Sequence, residues 1–379
     1  YLSSAASDVY KRQDKPRAVH AAFHTAHPLL GSKISLAGTS NETRYESFIE
    51  PDSPPWLPDH EVMGHVVLPG AAYVEMALAA SGTNHLQDVA FEQPLRPTSR
   101  TALQTIVRAT EDAQQTIEIF SSASESSQWN RNCCAQVAPV VNEVPGPADL
   151  AKCKQDCTET ADPAAFYAKM QELGLNYGSQ FQTIDSLQYS SSEVLAHLQV
   201  TGDLRGFTIP PTLLDGALHS LAVGLLKGDD DQLFLPVGMG AIRCFQPAGQ
   251  EVWCHARWTN QEGKLRTADL TLFNDEGAVI ATIESLQLQQ ISGAALRQIS
   301  GAGVERLLYD LQWREFRLPP SETTNKNWLV VNVGDANLLG TRLADQLVDR
   351  GNRAIQLNLS AGADWTRRSE ALVTMLSLI

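Results

Sequence analysis

"HEVMGHVVLPGAAYVEMALAASG", residues 60–82, carries two histidines and a Pro-Gly step, then an apolar run whose reading decides the fold. The run reads as a helix. Pro69 takes its first position, where a missing N–H is no loss, and Gly82 supplies the stop. Its alanines let other backbone approach closely. A second run, "PPTLLDGALHSLAVGLLKG" (210–228), again opens on proline and closes on glycine. It is apolar nearly all round, as a helix buried on every side must be.

Strand-length stretches surround each run. "TALQTIVRAT", "QTIEIFSSA" and "NCCAQVAPV" lie near the first. "LQYSSSEVLAHLQV", "MGAIRCF", "EVWCHARWT", "LRTADLTLFN" and "AVIATIESLQLQ" lie near the second. Two strand-rich halves, each with one apolar helix, indicate an α+β protein that uses one supersecondary plan twice. We divide the chain into a non-native or disordered leader (1–13), a first half (14–145), a polar linker (146–162) and a second half (163–296). A connecting segment (297–327) and an α/β unit (328–379) follow. The α/β turn "GDANLLG" lacks the G-x-G-x-x-G fingerprint, so a structural unit is expected there rather than a nucleotide site. Both ends read as open, and the chain is expected to be a piece of something larger.

At 379 residues with a formal net charge of -14, the chain lacks the basic balance of a nucleic-acid binder. No apolar run approaches bilayer length, and no secretory signal is visible, so a cytoplasmic protein is expected. Six cysteines are scattered; Cys153 and Cys157 form a C-x-x-x-C, but no second pair or histidine pair stands at zinc spacing. Free thiols are the expectation.

Asp215 and His219 are four residues apart, hence on one helical face. A carboxyl on an apolar helix must be paired or protonated, and burial raises its pKa, which would preserve a proton donor at neutral pH. The alternative is a plain Asp215–His219 pair near an exposed edge. His60 and His65, five apart on one expected strand, should point to opposite faces, so at most one enters a given pocket.

The stretch His60–Pro69 resembles the H-x-x-x-G-x-x-x-x-P motif of dehydratase domains in modular type I polyketide synthases. "NYGSQF" (176–181) is similar to their Y-G-x-x-F segment, and "LLDGALH" (213–219) to their L-L-D-x-x-x-Q/H helix. "FLPVGMGAIR" (234–243) follows in the expected order, with "HPLLG" and "ADLTLFNDEGAVIATIESLQLQ" at the borders. The resemblance covers about residues 25–293 and implies a double hot dog: two antiparallel sheets, each wrapped round a central helix. Residues 328–379 then resemble the start of a ketoreductase structural, Rossmann-like subdomain, truncated and cofactor-free.

That resemblance implies a syn-type loss of water from a β-hydroxyacyl thioester on the phosphopantetheine of an acyl carrier protein. His60 is then the base and Asp215 the acid. The N–H of Gly70 supports the thioester oxygen, Tyr177 bonds the β-hydroxyl or Asp215, and His219 orients Asp215. Gly64 and Pro69 shape the loop and helix start, and His65 is structural or lines the pocket. No metal or cofactor is implied, and the pocket should be an apolar tunnel. Partners implied are the carrier protein, an upstream ketosynthase and acyltransferase, a downstream ketoreductase and a second copy of the chain. Two positions depart from the family: Ile209 where histidine is common, and Ser179 where proline is. Double-bond migration, pyran-forming or product-template-like cyclisation, and a catalytically silent carrier-docking module remain open.

Overall fold

Helix α1 (Gly70–Ser81) begins one residue later than its sequence indicates. Pro69 is the cap, not the first helical residue: its extended ψ of 149° turns the chain into the helix, and its carbonyl accepts the Ala72 N–H. Gly82 ends the helix in the left-handed region at φ 67°, its N–H donating to Leu78 O. The chain is seen here in a computed structural model that describes residues 27–35, 41–109, 114–123, 128–226, 233–291, 327–333, 338–349, 351 and 353–359. The proposed leader and nearly all of the connecting segment lie outside them.

Among the described residues, the larger of two units (1–304) holds three further α-helices: α2 (Leu150–Asp156), α3 (Pro163–Glu172) and α4 (Pro211–Ser220). Every residue of α4 is buried, as its all-round apolar character requires. The α-helix passes into a 3-10 turn at Leu221, and the proposed stop at Gly228 lies outside the described residues. Helices α1 and α4 pack on each other, and strands of the first and second halves close over them.

The two expected sheets are edge-joined into one of thirteen strands. Six come from the first half, in the order Ser32–Ile34, Glu42–Ile49, Thr101–Ala109, Gln115–Ala123, Asn130–Val137, His85–Phe91. Seven come from the second: Leu233–Cys244, Val279–Ile291, Leu265–Phe273, Glu251–Asn260, Glu193–Gln199, Ile184–Tyr189, Glu159–Ala161. At the seam Leu86 faces Ile242 and Val89 faces Met239. The proposed linker is not unstructured: it holds α2 and the edge strand Glu159–Ala161.

A small separate sheet ties the halves together a second time. Leu175–Tyr177 pairs with His60–Val62, which pairs with His65–Val66. The expectation of one strand through His60 and His65 fails here. Met63 and Gly64 adopt positive φ, 51° and 78°, and fold the stretch into a hairpin with Val62 opposite His65. Strand parity therefore does not separate the two histidines; the turn does.

The second unit contains Asn327–Val333, α5 (Leu338–Asp349) and Arg353–Leu359, a strand–helix–strand with the strands parallel. No helix among the described residues is long and apolar enough to cross a membrane.

Candidate active site

His60 ends a short 3-10 turn, Leu57–Asp59, and is 7% exposed. Its Nδ1–H donates to Val67 O at 2.7 Å across the hairpin. That bond fixes the tautomer, so Nε2 is the atom left to exchange a proton. Nε2 lies 3.6 Å from Oδ2 of Asp215, which arrives from the other half of the chain on α4. His219, one helical turn on, brings its Nε2 to 2.7 Å from the same oxygen. Asp215 does pair with His219, but not at an exposed edge: both side chains are buried.

Aromatic rings wall the cluster. Tyr177 sits directly across the strand pair from His60, and its ring lies on His219 at 4.0 Å between centroids. Phe181 packs on His60 at 5.0 Å. Beside Asp215, Gly216 leaves room for Thr183; a methyl group there would overlap the Thr183 hydroxyl. The "NYGSQF" turn is clasped by Asp59, whose Oδ2 accepts the Gln180 N–H at 2.8 Å and whose carbonyl accepts the Gly178 N–H. A side chain at Gly178 would collide with that carboxylate.

Burial lowers the pKa of His60, against the opposing pull of Asp215, so the imidazole is neutral at neutral pH. Asp215 corrects a sequence expectation. Burial does push its pKa up, but the adjoining His219 and His60 outweigh it and hold the carboxyl below its usual value. Burial alone does not keep Asp215 protonated; the proton belongs to the cluster. Burial and Asp215 raise the Tyr177 phenol well above its usual range, so it remains a hydrogen-bond donor. Atoms of His60, Asp215 and His219 lie within 4.8 Å of one another, a spacing that could also hold a divalent cation.

Gly70 is the first residue of α1, where an N–H has no intrahelical acceptor. Its Cα faces the Phe91 ring so closely that a side chain would press on it. Gly64 forms the hairpin turn, and half-buried His65 is not part of the cluster. A cleft of about 450 Å³ is lined by Asp59, Glu61, Tyr167, Asn176, Tyr177 and Gln182, among others. Neither His60 nor Asp215 lines it, so it is distinct from the expected apolar tunnel.

Sequence reasoning missed Asp59 and Glu75. Glu75 is fully buried on α1, and its carboxylate accepts the N–H groups of Thr208 and Ile209, both at 2.8 Å. Ile209 thus gives its backbone N–H to Glu75 while its side chain is buried in the core. A lone charge on an apolar helix, the signal that singled out Asp215, was equally visible at Glu75.

Residues 27–122 match the family model of the polyketide synthase dehydratase domain, and residues 145–298 that of the polyketide synthase dehydratase N-terminal domain. A phenolphthiocerol/phthiocerol polyketide synthase of Mycobacterium tuberculosis is 25% identical over 361 residues. That match takes in 88% of this chain but only 19% of the relative's length. The dehydratase domain from the CurF module of curacin polyketide synthase superposes with a TM-score of 0.64 at 29% identity, over 70% of this chain and 99% of that one. Two inactive mutants of CurK dehydratase are also similar. One, with histidine replaced by phenylalanine, is 26% identical with a TM-score of 0.66 over 71% of this chain and all of that one. The other, with aspartate replaced by asparagine, is 25% identical with a TM-score of 0.64 over 70% of this chain and 99% of that one.

Proposed function

The chain belongs to the polyketide synthase dehydratase family, and on that footing we propose that it removes water from a β-hydroxyacyl thioester carried by an acyl carrier protein. The observation that carries this reading is the approach of His60 Nε2 to Asp215 Oδ2 from opposite halves of the chain.

Neutral His60 takes the α-proton, and the C–H electron pair becomes the new double bond. The β-carbon–oxygen bond breaks as Asp215 passes a proton to the departing hydroxyl, which leaves as water. Both groups meet one side of the bound chain, consistent with syn elimination. The N–H of Gly70, at the start of α1, steadies charge developing on the thioester oxygen. His219 holds Asp215 and shares its proton, and the Tyr177 hydroxyl donates to the β-hydroxyl or to Asp215. The reactive state holds one proton on the three-residue cluster. After elimination the cluster's original proton has left in the water and the substrate's α-proton is on His60; its transfer to Asp215 across the 3.6 Å gap resets the site. This chemistry needs no cofactor.

The inactive histidine and aspartate mutants of CurK dehydratase support a pair of this type. Because the chain spans about a fifth of its curated relative, it corresponds to one segment of a larger synthase. Its immediate partners are then the carrier protein, neighbouring synthase domains including a ketoreductase whose structural part begins after residue 327, and a second copy, in the cytoplasm.

The test is to incubate the full chain with a 3-hydroxyacyl carrier protein and follow the bound chain by mass spectrometry. Loss of water in the wild type, absent in His60→Ala and Asp215→Asn, is the expected result. Undiminished turnover in both variants, or only cyclised or double-bond-shifted products from the wild type, overturns the reading.

A further inference from the structure

Cys153 and Cys157, isolated in the sequence as a bare C-x-x-x-C, have company in the fold. They stand one turn apart on α2 and its cap, and with Leu195 and Phe273 they form a small buried cluster separate from the main core. Two strands bring further donors to the same place. Glu193 opens one strand and His255 lies on its neighbour, which is paired so that Leu195 faces His255. His255 Nε2 lies 3.0 Å from Glu193 Oε2, while Glu193 Oε1 is held by Arg257 at 3.4 Å. One donor atom from each of Cys157, Glu193 and His255 falls within 4.8 Å of the others.

We propose that Cys157, Glu193 and His255 bind a zinc ion, with water in the fourth position. Thiolate, imidazole and carboxylate are the zinc donors, and tetrahedral coordination takes four ligands. The sulfur ligand disfavours magnesium and calcium, which prefer oxygen alone. Of the nearby cations, Arg257 is engaged with the far oxygen of Glu193 and Lys154 lies over the Trp253 ring. The ion would pin α2 to the sheet. At seven residues this helix is too short to be stable alone and has only Cys153 buried. The site shares no residue with the His60–Asp215–His219 cluster and does not depend on the dehydratase reading.

Cobalt(II) titration of the reduced full chain provides the test. The expected result is thiolate-to-cobalt charge-transfer absorption that saturates at one equivalent and is abolished by added zinc. The band should vanish in Cys157→Ser, and affinity should fall about 10- to 100-fold or more in His255→Ala. It should persist in His60→Ala, whose cluster offers no sulfur. Far-ultraviolet circular dichroism establishes that each variant is folded. Absence of the band in folded wild type, or its survival in folded Cys157→Ser, overturns the proposal.

Discussion

Glu75 on α1 and Asp215 on α4 are both carboxylates buried within the central helices, yet the fold neutralises them in different ways. Glu75 accepts two backbone N–H groups from Thr208 and Ile209, and His27 adds a contact at 3.0 Å. Asp215 Oδ2 meets two imidazoles, His219 at 2.7 Å and His60 at 3.6 Å. Amide protons do not exchange on the timescale of turnover at neutral pH, whereas imidazole protons do. Each Glu75 oxygen is occupied by an amide N–H and serves as a clasp, His27 notwithstanding, whereas Asp215 Oδ2 meets imidazoles and can carry a proton. Glu75 fastens α1 to the segment that leads into α4, and so helps to hold the distance at which Asp215 works.

The comparison breaks first at Asp215→Asn. The amide cannot deliver a proton, so dehydration should fall about 100- to 10,000-fold, with urea unfolding little changed. Glu75→Ala should do the reverse at the level of stability. Two orphaned buried amides, at about 1–3 kcal/mol each, predict a loss of roughly 2–6 kcal/mol by urea denaturation. An Asp215 variant that unfolds while the Glu75 variant stays stable would remove the distinction.

The pH profile sharpens the contrast further. Turnover requires neutral His60, so the rate falls as pH drops through its pKa. Because burial lowers that pKa, the acid limb should lie below the ordinary imidazole value of about 6.5. On the alkaline side, loss of the one shared proton should bring the rate down again. Rates measured across the acid range in wild type would locate the first limb; one above the ordinary value contradicts the assignment. The smallest effect is expected from Tyr177→Phe. The ring still lies on His219, and one hydrogen bond of about 1 kcal/mol is lost, which predicts a rate reduction of several-fold.

The central helices were legible because an apolar run bounded by proline and glycine has few other interpretations. His60 and Asp215 were legible through their motifs, and their meeting follows from the doubled plan. Other features depend on distances that no spacing reveals. The positive φ of Met63 turns an expected strand into a hairpin. The protonation of Asp215 is decided by two imidazoles, one of which is 155 positions away in sequence, from His60 to Asp215. Glu193 and His255 join Cys157 only through strand register.

The seam between Leu86 and Ile242, together with the Tyr177–His60 pairing, makes a double suture between the halves. Its consequence concerns recombination. A hybrid that takes its first half from one parent and its second from another must match both sutures at once, or the base and the acid lose their alignment. The natural unit of exchange is therefore the stitched pair, cut outside both borders and never through its middle.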